Sequence, residues 1–176
     1  MTDAHVVALH VWPAGAGTPV PVDVLALDWG GPVGDRHHGE TMLSDARQRK
    51  VFDDGTAIRN HRQVSIIDTS ELAAIAVALG VPSLDPGVIA DNICTEGIPG
   101  LTSLPRMTRM VFGSGAVIML GGENHPCTVA GGLVQSVHGT PAHSFPKAAM
   151  GLRGVTGWVE RPGALSAGDS VELVLP

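Results

Sequence analysis

The sequence contains no tyrosine and only three phenylalanines and three tryptophans. A core in this chain must therefore rest on Val, Leu, Ile and Ala. Cysteine is also sparse: Cys94 and Cys127 lie far apart and form no CxxC. That spacing does not fit a disulfide scaffold or a zinc site built from thiolates. The longest apolar run, near MVFGSGAVIMLGG, is too short and too broken by glycine to span a bilayer. The start, MTDAHVVALHVWPAG, lacks the basic residues and longer apolar stretch of a secretory signal, so the cytoplasm is the expected location. Positive charge is scarce as well. Eleven Lys and Arg stand against 17 Asp and Glu, for a net charge of −6, and the densest basic cluster is RQRK at Arg47 to Lys50. Nucleic acid is not an expected partner of such a chain, whereas local positive charge around one site still suits a small anion. Nothing resembles GxSxG, a P-loop or a dinucleotide fingerprint.

What is present describes a globular protein: 44% apolar residues, 16% charged residues and a length of 176, which suits one domain over 1–176. Twenty-three glycines and 13 prolines cut the chain into short segments. VVALHV from Val6, PVDVLALDW to Trp29, and RQVSIID from Arg62 to Asp68 read as strands. RMVFGSGAVIML reads as two strands joined at GSG, and VTGWVE and SVELVLP as strands near the end, with RPGALSAGD as the turn between them. One helix is clear. Thr69 or Ser70 can cap it, Glu71 suits its positive end, and Gly80 with Pro82 ends it. Leu72, Ile75, Ala76 and Leu79 form its buried stripe. Shorter helical pieces are expected in GGLVQSV and FPKAAMG, and SDARQRKVFDDGTAIRNH as irregular chain. The expected fold is mostly β, a barrel-like domain with a few peripheral helices.

Two clusters could carry chemistry. In GGENHPCTVAGG, Cys127 follows His125-Pro126, and Thr128 can open a short helix. Positive charge and helix starts are the settings in which a thiol reacts as a thiolate; the alternative is a small buried side chain at a strand end. In GDRHHG, Asp35, Arg36, His37 and His38 lie between two glycines. They form either a polar wall for an anion or a solvated loop. A metal shared by the two histidines is disfavoured, because neighbouring side chains in extended chain point to opposite faces. Arg62 and Gln63 open a strand, where the guanidinium can grip phosphate or carboxylate or make a rim salt bridge. Asn92 can read a heterocycle, Lys147 and Arg153 can hold phosphate or simply be solvated, and Cys94 reads as a structural thiol.

Taken in order, GDRHHG, RQVSIID with Glu71 after it, DNICTEGIPGLTSL, the Pro126-Cys127 pair and LRGVTGWVERPGALSAGDSVEL resemble a MOSC domain, the domain found at the C-terminus of molybdenum cofactor sulfurases and as stand-alone bacterial proteins. The resemblance runs from about Val6 to the end. It implies a barrel of the pyruvate-kinase β-barrel type and binding of molybdenum cofactor (molybdopterin). It also implies a functional cysteine, here Cys127, as molybdenum ligand or persulfide carrier. Arg36, Arg62, Lys147 and Arg153 are then the expected phosphate contacts, and His37, His38 and Asn92, with Gln63 beside Arg62, the pterin side. The implied activity is sulfur transfer to the cofactor or molybdenum-dependent reduction of N-hydroxylated compounds. The implied partner is a cysteine desulfurase or a redox protein. A non-catalytic carrier, or a degenerate barrel with another small ligand, are the other readings. One departure stands out: the family's GEN-I is Ala90-Asp91-Asn92-Ile93 here, with a shorter acid and no glycine.

Overall fold

A computed structural model describes residues 4–176. Its strands are β1 His5–Val11, β2 Val20–Pro21, β3 Val24–Asp28, β4 Gly31–Pro32, β5 Thr41–Leu43, β6 Ala57–Arg59, β7 Val64–Asp68, β8 Ile93–Glu96, β9 Arg109–Phe112, β10 Val117–Glu123, β11 Val155–Arg161, β12 Gly163–Ser166 and β13 Val171–Val174. Its helices are α1 Thr69–Leu79, α2 Thr128–His138 and α3 Phe145–Ala148. The mostly β expectation holds.

Eight strands form one sheet in the order β13-β9-β10-β11-β7-β8-β1-β2. Successive side chains of a strand face opposite ways, and this sheet uses both faces. Ile66 and Ile93 face one core with Val6, Leu9, Phe112, Ile118 and Leu165. Their neighbours Ile67 and Cys94 face a second core under the helices, with Leu72, Ile75, Ala130, Val134 and Phe145. β7 and β8 are parallel, and α1 supplies the crossover between them.

The expected barrel does not close. The sheet curls until His5 meets Ser170 across one isolated bridge, with Val6 N–H donating to Asp169 O and Val171 N–H to Ala4 O. No ladder joins β1 to β13 among the described residues. β13 is only four residues long, and the far half of β1 is already paired with β2 through His10 and Val11.

Three segments depart from the sequence reading. The RPGALSAGD turn contains β12, which pairs with β3. The segment expected to be irregular, 44–61, contains β6, which pairs with β5 just before the segment to form a small arm, with Leu43 opposite Ala57 and Thr41 opposite Arg59. The cap of α1 is Asp68, one residue earlier than expected. Its Oδ1 accepts from Ser70 N at 3.0 Å, while its Oδ2 accepts from Ile98 N at 3.0 Å, so one carboxylate serves both helix and loop. Gly80 ends the helix in the left-handed region, as its position implies.

Candidate functional site

A cleft of about 500 Å³ opens where the GDRHHG turn, the β5–β6 arm, the start of β7, the 90–92 turn and the start of α2 converge. It is lined by Arg36, His37, His38, Arg62, Asn92, Cys127 and Arg153, so seven of the nine residues singled out in the sequence share one cavity. The two remaining residues do not line it. Gln63 is wholly buried: its Nε2 donates to Trp29 O at 2.8 Å and its Oε1 accepts from Val159 N at 2.9 Å. It ties strands together because both ends of its amide are taken by backbone. Lys147 lies exposed on α3, a four-residue helix away from the lining.

Cys127 is the N-cap residue of α2. Its backbone is extended, its side chain makes no capping bond, and it is half-buried. The thiol therefore stands at the positive end of an 11-residue helix. α2 is seated by Gly131, where an added Cβ would fall 2.2 Å from Ala142 O. Only glycine allows that approach, which fixes where the helix begins.

Opposite the thiol, guanidinium groups gather. Arg62 is half-buried and donates through Nη2 to Asn124 Oδ1 at 3.1 Å. Its pKa is lowered to about 10, first by burial and then by the neighbouring charges of Arg47 and Arg153, with Asp45 and Cys127 pulling the other way. Arg153 is 8% exposed. Its Nη2 donates to Ile89 O at 2.9 Å, and its Nε is buried without a hydrogen-bond partner. Burial pushes its pKa down, Cys127 and Asp91 oppose that, and Arg47 adds to it. The charges at this end of the cleft thus act on one another and on the Cys127 sulfur.

The far wall is built on Asp35. Its Oδ2 accepts from Trp12 N and Asn92 Nδ2, both at 2.8 Å. Its Oδ1 accepts from His37 N at 2.8 Å and lies 3.0 Å from His37 Nδ1. Burial drives the Asp35 pKa up, but the bonds from His37, Trp12 and Asn92 outweigh it and hold the group below the ordinary carboxylate value. Arg36 lies over the Trp12 ring, 4.5 Å from its centroid. His38 Nε2 is 2.7 Å from Asp28 Oδ1, its ring pressed on Gly30, where a Cβ would come within 2.8 Å. The two histidines are held by separate carboxylates, and no group of three or more metal-binding side chains occurs among the described residues.

Asn92 serves the scaffold. Besides Asp35, its Nδ2 donates to His10 O at 3.2 Å, and its Oδ1 accepts from Ser65 N at 3.0 Å. With both ends engaged, the expected reading of a heterocycle by this amide has no free group to use. Asp91 turns away from the cleft, and its carboxylate accepts from Gly87 N at 2.8 and 3.0 Å. Ala90 before it sits at φ +65°, the region glycine prefers.

Sequence reasoning missed Trp12, Asp45, Arg47, Asn60 and Asn124, all of which line the cleft. Asn60 joins its two walls: Nδ2 donates to His37 O and Gly39 O at 2.9 Å, and Oδ1 accepts from Arg62 N at 3.0 Å. The Asn–x–Arg spacing before β7 was its one available signal. Cys94, read as structural, is fully buried, and burial pushes its thiol pKa far up.

Fold and site together define a β-rich protein that presents one accessible thiol, at a helix start, to a cleft lined with guanidinium groups. The chain belongs to the MOSC domain family, whose model matches residues 34–172. It is 41% identical over 155 residues to the YuaD protein of Bacillus subtilis (strain 168), covering 86% of this chain and 80% of that one, and YuaD's name links it to metal-sulfur cluster biosynthesis. The crystal structure of YuaD from Bacillus subtilis superposes with a TM-score of 0.91 at 37% identity, covering 97% of this chain and 95% of that one. YiiM from Geobacillus stearothermophilus shares the fold at 16% identity, with a TM-score of 0.67 over 97% of this chain and 75% of that one. No helix among the described residues is long and apolar enough to cross a membrane.

Proposed function

We propose that the chain is a sulfur-handling MOSC protein that binds molybdenum cofactor in this cleft and carries sulfur for it as a persulfide on Cys127. The observation behind this reading is the half-buried Cys127 thiol, uncommitted to any capping bond, facing Arg62 and Arg153 at the start of α2. Family membership and the sulfur-related name of YuaD support it.

The residues fit such a ligand. The cleft volume lies within the range of small-molecule sites. The buried Arg153 Nε lacks a partner that an anionic oxygen would supply. When bound, the cofactor supplies a molybdenum centre able to accept sulfur. Arg62 and Arg153 would hold its anionic part. Arg36, over the Trp12 ring, and the exposed edges of His37 and His38 would line its ring. Asp35, Asn60 and Asn92 keep that wall in place. Lys147, away from the lining, has no part in this reading.

Loading requires a sulfane donor, for which a cysteine desulfurase is the proposed protein partner. The Cys127 thiolate attacks the outer sulfur of the donor's persulfide. A new S–S bond forms on Cys127, the donor's S–S bond breaks, and the donor thiolate leaves with the electron pair. Protein from a host that makes the cofactor, assayed for molybdenum, pterin and the mass of a desulfurase-treated sample, tests this beside Cys127→Ala. Pterin in both proteins, with one sulfur atom gained at Cys127 in the parent alone, is expected. Loss of molybdenum from the variant, with no sulfur gained by the parent, would refute the carrier role and make Cys127 a molybdenum ligand, as a reductase requires. Absence of pterin from both would sink cofactor binding.

A further inference from the structure

Four arginines, Arg36, Arg47, Arg62 and Arg153, line the cleft that holds Cys127. We infer that Cys127 also takes sulfur directly from a small dianionic sulfane compound of the thiosulfate class. This rests on the sulfur-carrier reading of the same cleft and names a second donor for it.

A thiolate approaching a dianion meets strong repulsion unless positive charge is already in place. Here the start of α2 and the guanidiniums of Arg62 and Arg153 supply it at the sulfur, and Arg47 adds positive charge beside those two arginines from the same cleft lining. Arg153 is more than nine-tenths buried, lines the cleft and leaves Nε unpartnered. Buried guanidiniums that raise one another's energy gain most from an anion bearing several oxygens. Asp45, paired with Arg47 in the same lining loop, is the opposing charge. The sulfonate end of the donor would face the arginines and its sulfane sulfur the thiol. The Cys127 thiolate attacks that sulfane sulfur. The Cys127 S–S bond forms, the bond from sulfane sulfur to sulfonate breaks, and sulfite leaves with the electron pair. No oxidant or reductant is needed. The emptied guanidiniums are then free for the anionic part of the cofactor, so donor and cofactor use the same end of the cleft in turn.

The test is incubation of the full chain with millimolar thiosulfate, reading sulfite by dye assay and the protein by intact mass. A parallel sample receives a cysteine desulfurase and cysteine. The expected result is one sulfite released per sulfur gained, none with Cys127→Ser. Arg153 is buried, so its replacement can disturb folding. The exposed Arg47 and the half-buried Asp45 serve instead. Arg47→Ala is expected to slow thiosulfate loading by about five-fold, and Asp45→Asn to accelerate it, with desulfurase loading less affected in both. Loading by the desulfurase but not by thiosulfate would overturn this inference and leave the carrier reading intact. Loading by neither would overturn both. Sulfur gained by Cys127→Ser, or thiosulfate rates indifferent to Arg47 and Asp45, would also overturn it.

Discussion

Replacing Asp35 by asparagine leaves the shape of the side chain and removes one of its two accepting ends. Four donor positions converge on the carboxylate, two on each oxygen: His37 N and Nδ1 on Oδ1, Trp12 N and Asn92 Nδ2 on Oδ2. Whichever way the new amide turns, its NH2 faces a backbone N–H that has no other partner. The side groups can adapt, His37 by changing tautomer and Asn92 by flipping its amide. A backbone N–H cannot. The cost is one charge-assisted hydrogen bond plus a donor left buried, about 3 kcal/mol. For a chain of this length that corresponds to a melting temperature lower by about 10 °C near neutral pH. The pH dependence follows from the lowered Asp35 pKa. A carboxylate held below its unfolded value of 3.8 stabilises the fold above that value, and the contribution is lost as pH falls through the folded value. Thermal melts of parent and Asp35→Asn should therefore differ most near neutrality and converge as pH falls below 3.8 and through the folded value. A difference under about 2 °C at neutral pH, or one that widens in acid, would refute the role given to this carboxylate.

Three further outcomes follow from named contacts. Ala90→Gly relieves a left-handed backbone at φ +65° and should raise the melting temperature by a few degrees, worth about 1 kcal/mol. Glu71 has one oxygen accepting from Thr102 N and one buried without a partner, and burial raises its pKa above 4.5. The stability it contributes is present below that value and lost as pH rises through the folded one. Melts of Glu71→Gln should thus gain on the parent as pH rises above 4.5, and a constant gap would contradict this. Iodoacetamide should label the native protein once, at Cys127 by peptide mapping, with Cys94 labelled only after unfolding; equal labelling of both would contradict the burial of Cys94.

Much of the frame was legible because burial was two-sided and periodic. Strands β10 and β11 bury most of their apolar residues, and α1 combines an apolar stripe with a glycine stop. The arm was not legible, since β5 and β6 bury neither face and so carry no alternation. β12 was hidden by small residues, Gly163 and Ala164, that look like turn chemistry but sit in a ladder with β3. Barrel closure was overestimated because pattern does not reveal which edges meet. At the site, Cys127 and the GDRHHG turn were visible from residue chemistry. The division of labour within the turn was not: Asp35 and Asn92 are consumed by the scaffold, while Arg36 and the histidine edges face the cleft. Arg47 and Asp45 reach the cleft from the loop between β5 and β6, an arm that no local pattern announced.

The burial of Cys94 has a chemical consequence for whatever is placed on Cys127. A persulfide is discharged most readily by a second thiolate in the same molecule, which would close a disulfide and expel the sulfur as sulfide. The chain's other thiol is wholly enclosed in the core beneath α1 and α2, and burial keeps its proton on. Cys127 therefore has no internal resolving partner. Cargo on it can leave only toward something that enters the cleft from outside, so the identity of the recipient is set by what the cleft admits.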